Sequence, residues 1–380
     1  MSTPLSSADS QRATSPPSAP SNGLALAISP FGTLADGTAI DRYTLRNSHG
    51  MQVGVITYGA IVQSVIVADR HGRFDDVLLG FDDASAYQTH ADPHFGATIG
   101  RYANRLADGR FVLDGVTCTV PLNDGPNAIH GGPQGFDTRI WQAVAVEDEH
   151  SVGVTLSYTS PDGEMGFAGE LHTQVTYSLN ERNELRIQFH ATTSKTTVVN
   201  LTNHGYYNLA GAGNGTVLEQ LATLHASHYT PVSAKLIPTG DIAPVAGTPM
   251  DFLTPTAFGA HIHDDHPQLR FAEPEQGGFD FNYVLDAQGD LSQPAVEVQD
   301  PHSGRCLQLF TTQPAVQLYT SNLLDGTITG KGAKIYEHWG AFALEAQHYP
   351  DAPNQPAFPS TRLEPGQVYA HTTVLAFSAE

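Results

Sequence analysis

Residues 171–190 read LHTQVTYSLNERNELRIQFH, with two runs of alternating apolar and polar side chains around a polar centre. One face of the first run would carry Leu171, Thr173, Val175, Tyr177 and Leu179. In the second run Leu185, Ile187 and Phe189 alternate with polar residues. A period of two is typical of a strand with one buried face. Residues 180–183, Asn-Glu-Arg-Asn, have turn composition, so the stretch predicts an antiparallel hairpin.

The same alternation continues on both sides of this hairpin. Val152, Val154, Leu156 and Tyr158 predict another strand, and similar short runs recur from about Leu34 to Phe377. The 36 Gly and 25 Pro are spread without a period, as in a turn-rich β protein. No stretch longer than a turn or two keeps a helical period. We therefore predict an all-β fold, a large antiparallel β-sandwich, with residues 24–380 as a single domain.

The net charge of the chain limits the kinds of molecule that it can attract. Eighteen Lys and Arg against 39 Asp and Glu give a net charge of −21. Such a field repels nucleic acid, anionic lipid and phosphorylated substrates, so an uncharged small molecule is the expected partner. No heptad or exposed apolar stripe indicates an oligomeric state.

The N-terminal residues 1–23 are rich in Ser, Pro, Ala and Thr and lack an apolar run. They predict a disordered tail and not a signal peptide, and no later segment is long and apolar enough to cross a membrane. A cytoplasmic location is the resulting expectation. Cys118 and Cys306 could form a disulfide, but two buried thiols are the preferred interpretation, and their spacing fits no metal motif.

Residues 335–347, IYEHWGAFALEAQ, carry the most informative carboxylate. As a strand, this stretch puts Phe342, Leu344 and Ala346 on one face, opposite Glu345 and small or amide residues. A carboxylate in a half-buried strand is costly unless something pairs or uses it. The alternative is that Glu345 points to solvent.

Two further segments each deliver a histidine. Residues 200–209, NLTNHGYYNL, surround His204 with amides, hydroxyls and aromatic rings, which are the groups that bind a sugar. Residues 123–132, NDGPNAIHGG, form a turn-rich loop around His130, whose two glycines would allow close backbone approach to a ligand. A satisfied structural histidine and an ordinary turn are the respective alternatives.

Residues 100–105, GRYANR, place two guanidinium groups beside Asn104. Such a cluster can reach a substrate hydroxyl or hold a carboxylate, and a structural ion pair is the alternative. Two apparent motifs are rejected. The cluster HIHDDH at 261–266 lacks a matching ligand set, and GTITGKG at 326–332 departs from the phosphate-loop spacing.

Together these segments resemble the aldose 1-epimerase family. The resemblance runs in order from about Phe31 to Phe377. It rests on the segments already quoted and on Tyr58-Gly59-Ala60, Val77-Leu78-Leu79-Gly80-Phe81, Gly96-Ala97-Thr98-Ile99, Asn203-His204-Gly205-Tyr206-Tyr207-Asn208-Leu209-Ala210-Gly211, Gly247-Thr248-Pro249-Met250-Asp251, Gln317-Leu318-Tyr319-Thr320 and Pro350-Asp351-Ala352-Pro353-Asn354.

The resemblance implies an open cleft in the sandwich, no cofactor, no metal, and interconversion of the α and β anomers of free hexoses such as D-galactose and D-glucose. It implies that Glu345 is the general base, His204 the general acid and His130 a supporting residue. Further residues would hold the sugar hydroxyls or the second histidine: Asn104, Arg105, Asp251 and Gln317. Leu253, where many relatives have Arg, and Phe281, often His, depart from the family and would affect substrate preference.

Three other functions use related residues. A non-catalytic sugar-binding sandwich needs no facing acid and base, and a hexose-phosphate epimerase needs a basic phosphate pocket. A glycosidase needs paired carboxylates, for which Glu345 and Asp251 are the only candidates.

Overall fold

The computed structural model describes residues 23–380, so the predicted tail at 1–23 lies, apart from Gly23, outside the described residues. In the first half of the described chain the strands are β1 Ala25–Thr33, β2 Ala39–Arg46, β3 Gln52–Ile56, β4 Ile61–Ala68, β5 Phe74–Asp76, β6 Thr98–Ile99, β7 Arg105–Leu106, β8 Arg110–Leu113, β9 Val116–Thr119, β10 Ala128–Ile129, β11 Gln142–Glu147, β12 Ser151–Ser160, β13 Leu171–Asn180 and β14 Glu184–Thr193.

The second half contributes β15 Thr197–Val198, β16 Thr202–Asn203, β17 Tyr206–Tyr207, β18 Leu221–Leu224, β19 His228–Tyr229, β20 Ala243–Pro244, β21 Thr256–Ala257, β22 Asp280–Val284, β23 Val296–Gln299, β24 Arg305–Thr311, β25 Ala315–Tyr319, β26 Ile328–Thr329, β27 Ile335–Tyr336, β28 Phe342–Gln347, β29 Arg362–Leu363 and β30 Tyr369–Ala379. The helices are α1 Ala84–Thr89 and α2 Pro267–Ala272. Short 3₁₀ turns cover Ala107–Gly109, Phe136–Thr138, Glu164–Gly166, Phe258–Ala260, Lys331–Ala333 and Ala352–Asn354.

Three open antiparallel sheets contain most of the strands. Their strand orders are β1-β2-β3-β4-β5, then β11-β12-β13-β14-β30-β24-β23-β18-β21, and β17-β28-β25-β22-β19-β20. One continuous core includes Val53 of the five-stranded sheet, Val175 and Leu309 of the nine-stranded sheet, and Phe342 of the six-stranded sheet. The antiparallel β-sandwich predicted from the alternation is confirmed.

The hairpin predicted at residues 171–190 is β13 and β14, joined by a turn, with Leu179 opposite Leu185. The apolar residues of both strands are buried against the core, as a period of two requires. The strand predicted around Glu345 is shorter than the quoted stretch. Ile335–Tyr336 forms a separate strand, and the chain turns before Phe342–Gln347, with Trp339 at a φ of 54°.

Two smaller expectations also have outcomes. Cys118 and Cys306 are free thiols, as preferred from their sequence positions, but each is only half-buried. From Gly23 to Glu380, no helix is long and apolar enough to cross a membrane.

Candidate active site

The six-stranded sheet forms the floor of a polar cluster. Glu345 on β28 lies directly opposite Gln317 on β25, which lies opposite Asn282 on β22. Directly paired residues of antiparallel strands point to the same face, so these three side chains form one row across the sheet. Each is buried, with Glu345 only 2% exposed. The alternative that Glu345 points to solvent is therefore wrong.

His204 lies beside this row and is held by its own backbone. Its N–H donates to Ala97 O at 2.9 Å, and its carbonyl accepts from Gly96 N at 2.8 Å. The imidazole stacks on Tyr206 with ring centroids 4.9 Å apart. Its Nε2 lies 3.4 Å from Oε1 of Glu345. Within the described chain, His204 Nδ1 and Glu345 Oε2 are buried without a hydrogen-bond partner.

Burial decides where the proton of this pair resides. It raises the pKa of Glu345 well above its ordinary value; Asp280 adds to the rise and Arg105 opposes it. Burial and, to a smaller extent, His94 together lower the pKa of His204 to about 3. Both shifts favour the uncharged form of each group. In the free protein burial therefore favours a neutral carboxyl on Glu345 beside a neutral imidazole on His204.

His130 is held in the tautomer that carries its proton on Nε2. The backbone N–H of Asn104 donates to His130 Nδ1 at 3.2 Å. Burial, followed by His94 and His204, holds the pKa of His130 well below its usual value, so the ring is neutral. A neutral imidazole that accepts at Nδ1 carries its proton on Nε2. The His130 ring lies 5.1 Å from that of His204, so its N–H is available within the cluster.

The two glycines after His130 serve the packing of the loop. At Gly131, φ is +87° and an added Cβ would run into the carbonyl of Gly100. At Gly132, φ is +90° and an added Cβ would lie 3.1 Å from Val120 Cγ1. The close approach expected from the sequence is therefore to the protein's own chain.

Arg105 links the loop to the floor. Its Nε donates to Asp124 Oδ2 at 2.7 Å and its Nη1 to Asp280 Oδ2 at 3.2 Å. Gln317 Nε2 donates to the other oxygen of Asp280 at 2.6 Å. The cation is thus shared by two carboxylates and held in one orientation. Arg101, by contrast, is buried and donates to Ser160 and nearby carbonyls, so it has a structural role.

Asp280 is a site residue that the sequence reasoning missed. It lies on β22 two residues before Asn282, so both side chains share the face of Glu345. The signal was present in Phe279-Asp280-Phe281-Asn282, where two polar residues alternate with two buried aromatic ones. The aromatic face packs in the core, where the ring centroids of Phe281 and Tyr229 are 6.2 Å apart.

Among the described residues, the side chain of Asp251 has no hydrogen bond or ion pair with the clustered residues; its Oδ1 accepts from Leu253 N at 3.2 Å. It helps to raise the already elevated pKa of Tyr283, which burial and Tyr229 raise first. Tyr283 follows Asn282 on the strand and so points to the opposite face of the sheet. Asp251 and Leu253 line a separate open cavity of about 520 Å³. Neither Leu253 nor Phe281 therefore lies among the clustered residues.

A third histidine, also missed, completes the group. His94 Nδ1 lies 3.0 Å from Asp137 Oδ2. The His94 ring is 4.8 Å from that of His130 and 6.1 Å from that of His204. Its φ of 55° is unusual for a residue with a side chain, and such outliers gather at functional sites.

Three groups of the cluster are also of the types that bind metal ions. Potential ligand atoms of His130, His204 and Glu345 all lie within 4.8 Å of one another. However, the Asn104 N–H already occupies Nδ1 of His130, so Nε2 carries a proton and cannot ligate without forming an imidazolate. The donor set therefore suits proton transfer better than metal binding.

The two rejected motifs have structural partners. His261 Nδ1 pairs with Asp264 Oδ2 at 2.9 Å, with both side chains 48% exposed. Lys331 Nζ donates to Asp76 at 2.6 Å and to the carbonyl of Gln63 at 2.7 Å. That lysine therefore holds the sheet edge and does not present its charge to a phosphate.

Comparisons with known proteins agree on one family. Residues 41–376 match the sequence profile of the family described as aldose 1-epimerase. The chain is 42% identical to rat galactose mutarotase over 349 residues, covering 92% of this chain and 97% of the relative. It is 37% identical to aldose 1-epimerase of Escherichia coli strain K12 over 347 residues, covering 91% and 97%. The crystal structure of galactose 1-epimerase from Lactobacillus acidophilus superposes with a TM-score of 0.82 at 26% identity, covering 94% of this chain and 99% of that one.

Proposed function

The chain belongs to the aldose 1-epimerase family, and we propose that it interconverts the α and β anomers of D-galactose and D-glucose with Glu345 as base and His204 as acid. It is an isomerase acting on carbohydrates, and its substrate is a monosaccharide. The choice of these two hexoses and the roles of individual residues are the proposal.

The reaction needs one proton acceptor and one proton donor. A cyclic aldose changes anomer when the ring opens to an aldehyde, the C1–C2 bond rotates, and the ring closes on the other face of C1. Opening removes the proton of the C1 hydroxyl and adds a proton to the ring oxygen O5. Closing reverses both transfers, so the enzyme gains and loses no net proton over a cycle. A pair that holds a single proton is sufficient.

The observation that supports this function best is the buried His204–Glu345 pair, whose Nε2 and Oε1 atoms are 3.4 Å apart. Burial favours the neutral form of both groups. In the free protein burial keeps the proton on Glu345. A sugar hydroxyl that donates to Oε2 of Glu345 would favour the carboxylate, because hydrogen bonds to the charged form lower a carboxyl pKa. The proton then passes to His204, which leaves Glu345 as base for O1 and His204 as acid for O5.

The other clustered residues would hold the sugar in position. The Nε2–H of His130 would donate to O5 and stabilise the negative charge that develops there. Arg105, Asp280 and Gln317 already form a connected network and would bind the hydroxyls, so that rotation is confined to C1. Asn104 orients His130 through its backbone. We propose Asp280 here in place of Asp251.

A hexose phosphate fits this site poorly. Arg105 is already paired with Asp124 and Asp280, which cancels the charge that a phosphate would need.

A cytoplasmic location stays a prediction.

Polarimetry tests the proposal. Fresh α-D-galactose and α-D-glucose are followed with the wild type, with Glu345→Gln and with the exposed control Glu337→Gln. We expect the wild type and the control to speed the decay of optical rotation. Glu345→Gln should lower kcat by roughly 10²–10⁴-fold, with KM within a few-fold, because the amide keeps the shape but accepts no proton.

Three results would count against the proposal. Full activity of Glu345→Gln removes Glu345 from the base role. Sugar binding without any acceleration by the wild type favours a non-catalytic binding protein. Faster turnover of glucose 6-phosphate than of glucose favours the hexose-phosphate epimerase.

A further inference from the structure

The polar row on the floor of the site extends beyond the residues that the mechanism uses. From Glu345 and Gln317 it continues to Asn282 and then to Thr230, whose N–H donates to the Asn282 carbonyl at 3.0 Å. Asn282 is 1% exposed and Thr230 is fully buried. Three strand residues and Thr230, which directly follows β19, thus place polar side chains in one row.

This row is short of hydrogen-bond partners. Across the described residues, the buried atoms without a partner include Glu345 Oε2, Gln317 Oε1, Oδ1 and Nδ2 of Asn282, and Thr230 Oγ1. Buried polar groups are almost always paired, and each that is not weakens the fold. An amide with both atoms unpaired, in line with the catalytic carboxylate, indicates that a ligand completes it.

The next row toward Asp280 is different. Asp280 binds Arg105 and Gln317, and the hydroxyl of Tyr319 accepts from Leu323 N at 3.0 Å. Each of these groups therefore already has a partner within the protein. The row that contains Glu345, by contrast, still needs donors and acceptors.

The row on the other side is mainly apolar. Gln347 also lacks partners, but it lies opposite Ala315, which lies opposite Val284. This row runs into a cluster that contains Tyr349 and Phe358. A sugar ring that extends from Glu345 along the strand would meet apolar groups, whereas a ring that extends across the strands would meet amides.

We propose that Asn282 is a specificity-determining residue that binds the sugar hydroxyl at C4. The inference rests on the proposed function, which puts O1 at Glu345. In a six-membered ring C4 lies opposite C1, so a ring that lies across strands about 4.8 Å apart brings its C4 substituent over Gln317 and Asn282. D-Galactose and D-glucose differ in configuration at C4 alone. The amide of Asn282 offers a donor and an acceptor, which suits a hydroxyl in either role.

A substrate that lacks the hydroxyl isolates the contact. 4-Deoxy-D-galactose is the same compound as 4-deoxy-D-glucose, so it serves as reference for both sugars. For the wild type, kcat/KM with the deoxy sugar should be roughly 10- to 100-fold lower than with D-galactose, because its buried partner is then left unpaired. In Asn282→Leu, of similar size, this ratio should fall below about threefold.

Two further variants make the test specific. Gln347→Leu removes the other unpaired amide and should keep the wild-type ratio. Asn282→Ser, whose hydroxyl is too short to reach the sugar, should behave like Asn282→Leu and replaces it if that variant does not fold.

Each outcome decides the inference. It is overturned if the wild type does not discriminate against the deoxy sugar, if both Asn282 variants keep the discrimination, or if Gln347→Leu removes it. Absence of any wild-type mutarotation would instead overturn the proposed function, and the two failures are therefore distinguishable.

Discussion

Two histidine–carboxylate pairs lie side by side in this protein, and they differ in how completely they are satisfied. His94 Nδ1 and Asp137 Oδ2 are 3.0 Å apart, with side chains 17% and 8% exposed. His204 Nε2 and Glu345 Oε1 are 3.4 Å apart, with side chains 5% and 3% exposed. The first pair joins a loop residue to a 3₁₀ turn, and the second joins the residue after β16 to the floor of a sheet.

This difference indicates a structural role for the His94–Asp137 pair and a catalytic role for the His204–Glu345 pair. The His94–Asp137 contact has hydrogen-bond length, so each group already has its partner. The His204–Glu345 contact is longer, and among residues 23–380 the outer atoms of both groups are left unpaired. Burial of such a pair is costly unless a ligand uses it. We therefore expect the deeper pair to transfer protons and the shallower pair to hold the neighbouring loops in place.

The largest expected effect comes from replacing one histidine of each pair by the same residue. His204→Asn should lower kcat for α-D-galactose by roughly 10²–10⁴-fold, because the acid for O5 is lost. His94→Asn should lower it by less than about tenfold. Polarimetric kcat and KM for both variants provide the measurement, with circular dichroism as the folding control. Equal losses in the two variants would remove the distinction between the pairs.

The pH dependence of kcat/KM should be broader than ordinary side chains would give. An unperturbed pair with pKa values of 4.5 and 6.5 would work best only between them. Here a second proton is added at His204 only near pH 3, and the single proton is lost only above the raised pKa of Glu345. We expect kcat/KM to stay constant from about pH 4 up to the raised pKa of Glu345 and to fall above it. A bell centred between 4.5 and 6.5 would show that burial does not control the pair.

Local sequence was sufficient for the central hairpin and for finding three groups of the cluster. The alternation around residues 171–190 gave the hairpin, and the segments around Glu345, His204 and His130 deliver groups that the fold brings together. Strand alternation is a property of neighbouring residues, so it can be seen without knowing what packs where.

Long-range pairing could not be seen in this way. Asp251 and Asp280 are each followed by Phe, and only the pairing of β22 with β25 puts Asp280 beside Gln317, 37 positions away. His94 and Asp137 are 43 positions apart and lie on loops without a periodic pattern. Register between distant strands and contacts between loops are set by the tertiary fold.

The cost of the buried pair should be measurable as stability. The folded-state pKa of Glu345 is raised, so its contribution to stability is present below the unfolded value of about 4.5 and is lost as pH rises toward the folded value. Glutamine does not ionise. Glu345→Gln should therefore be about 0.5–2 kcal/mol more stable than the wild type at pH 8, and close to it at pH 4.

Urea midpoints at the two pH values test this comparison. His204 has the opposite sign, because its lowered pKa gives stability above 6.5 that is lost as pH falls toward about 3. It is present in both proteins, so its effect cancels in the difference. A variant that is less stable than the wild type at pH 8 would mean that the carboxyl makes a net favourable contact in the folded state.

The smallest expected effect is on the free energy of unfolding and comes from the His94–Asp137 pair. Asp137→Asn keeps an oxygen that can accept from His94 Nδ1, so it should cost about 1 kcal/mol through loss of the charge alone. Asp137→Ala leaves the imidazole N–H without its partner and should cost about 1–3 kcal/mol. Urea unfolding at pH 7 measures both, and the ranking matters more than either value. If the alanine variant is as stable as the asparagine variant, the hydrogen bond contributes nothing, and the shallower pair cannot be what holds these loops in place.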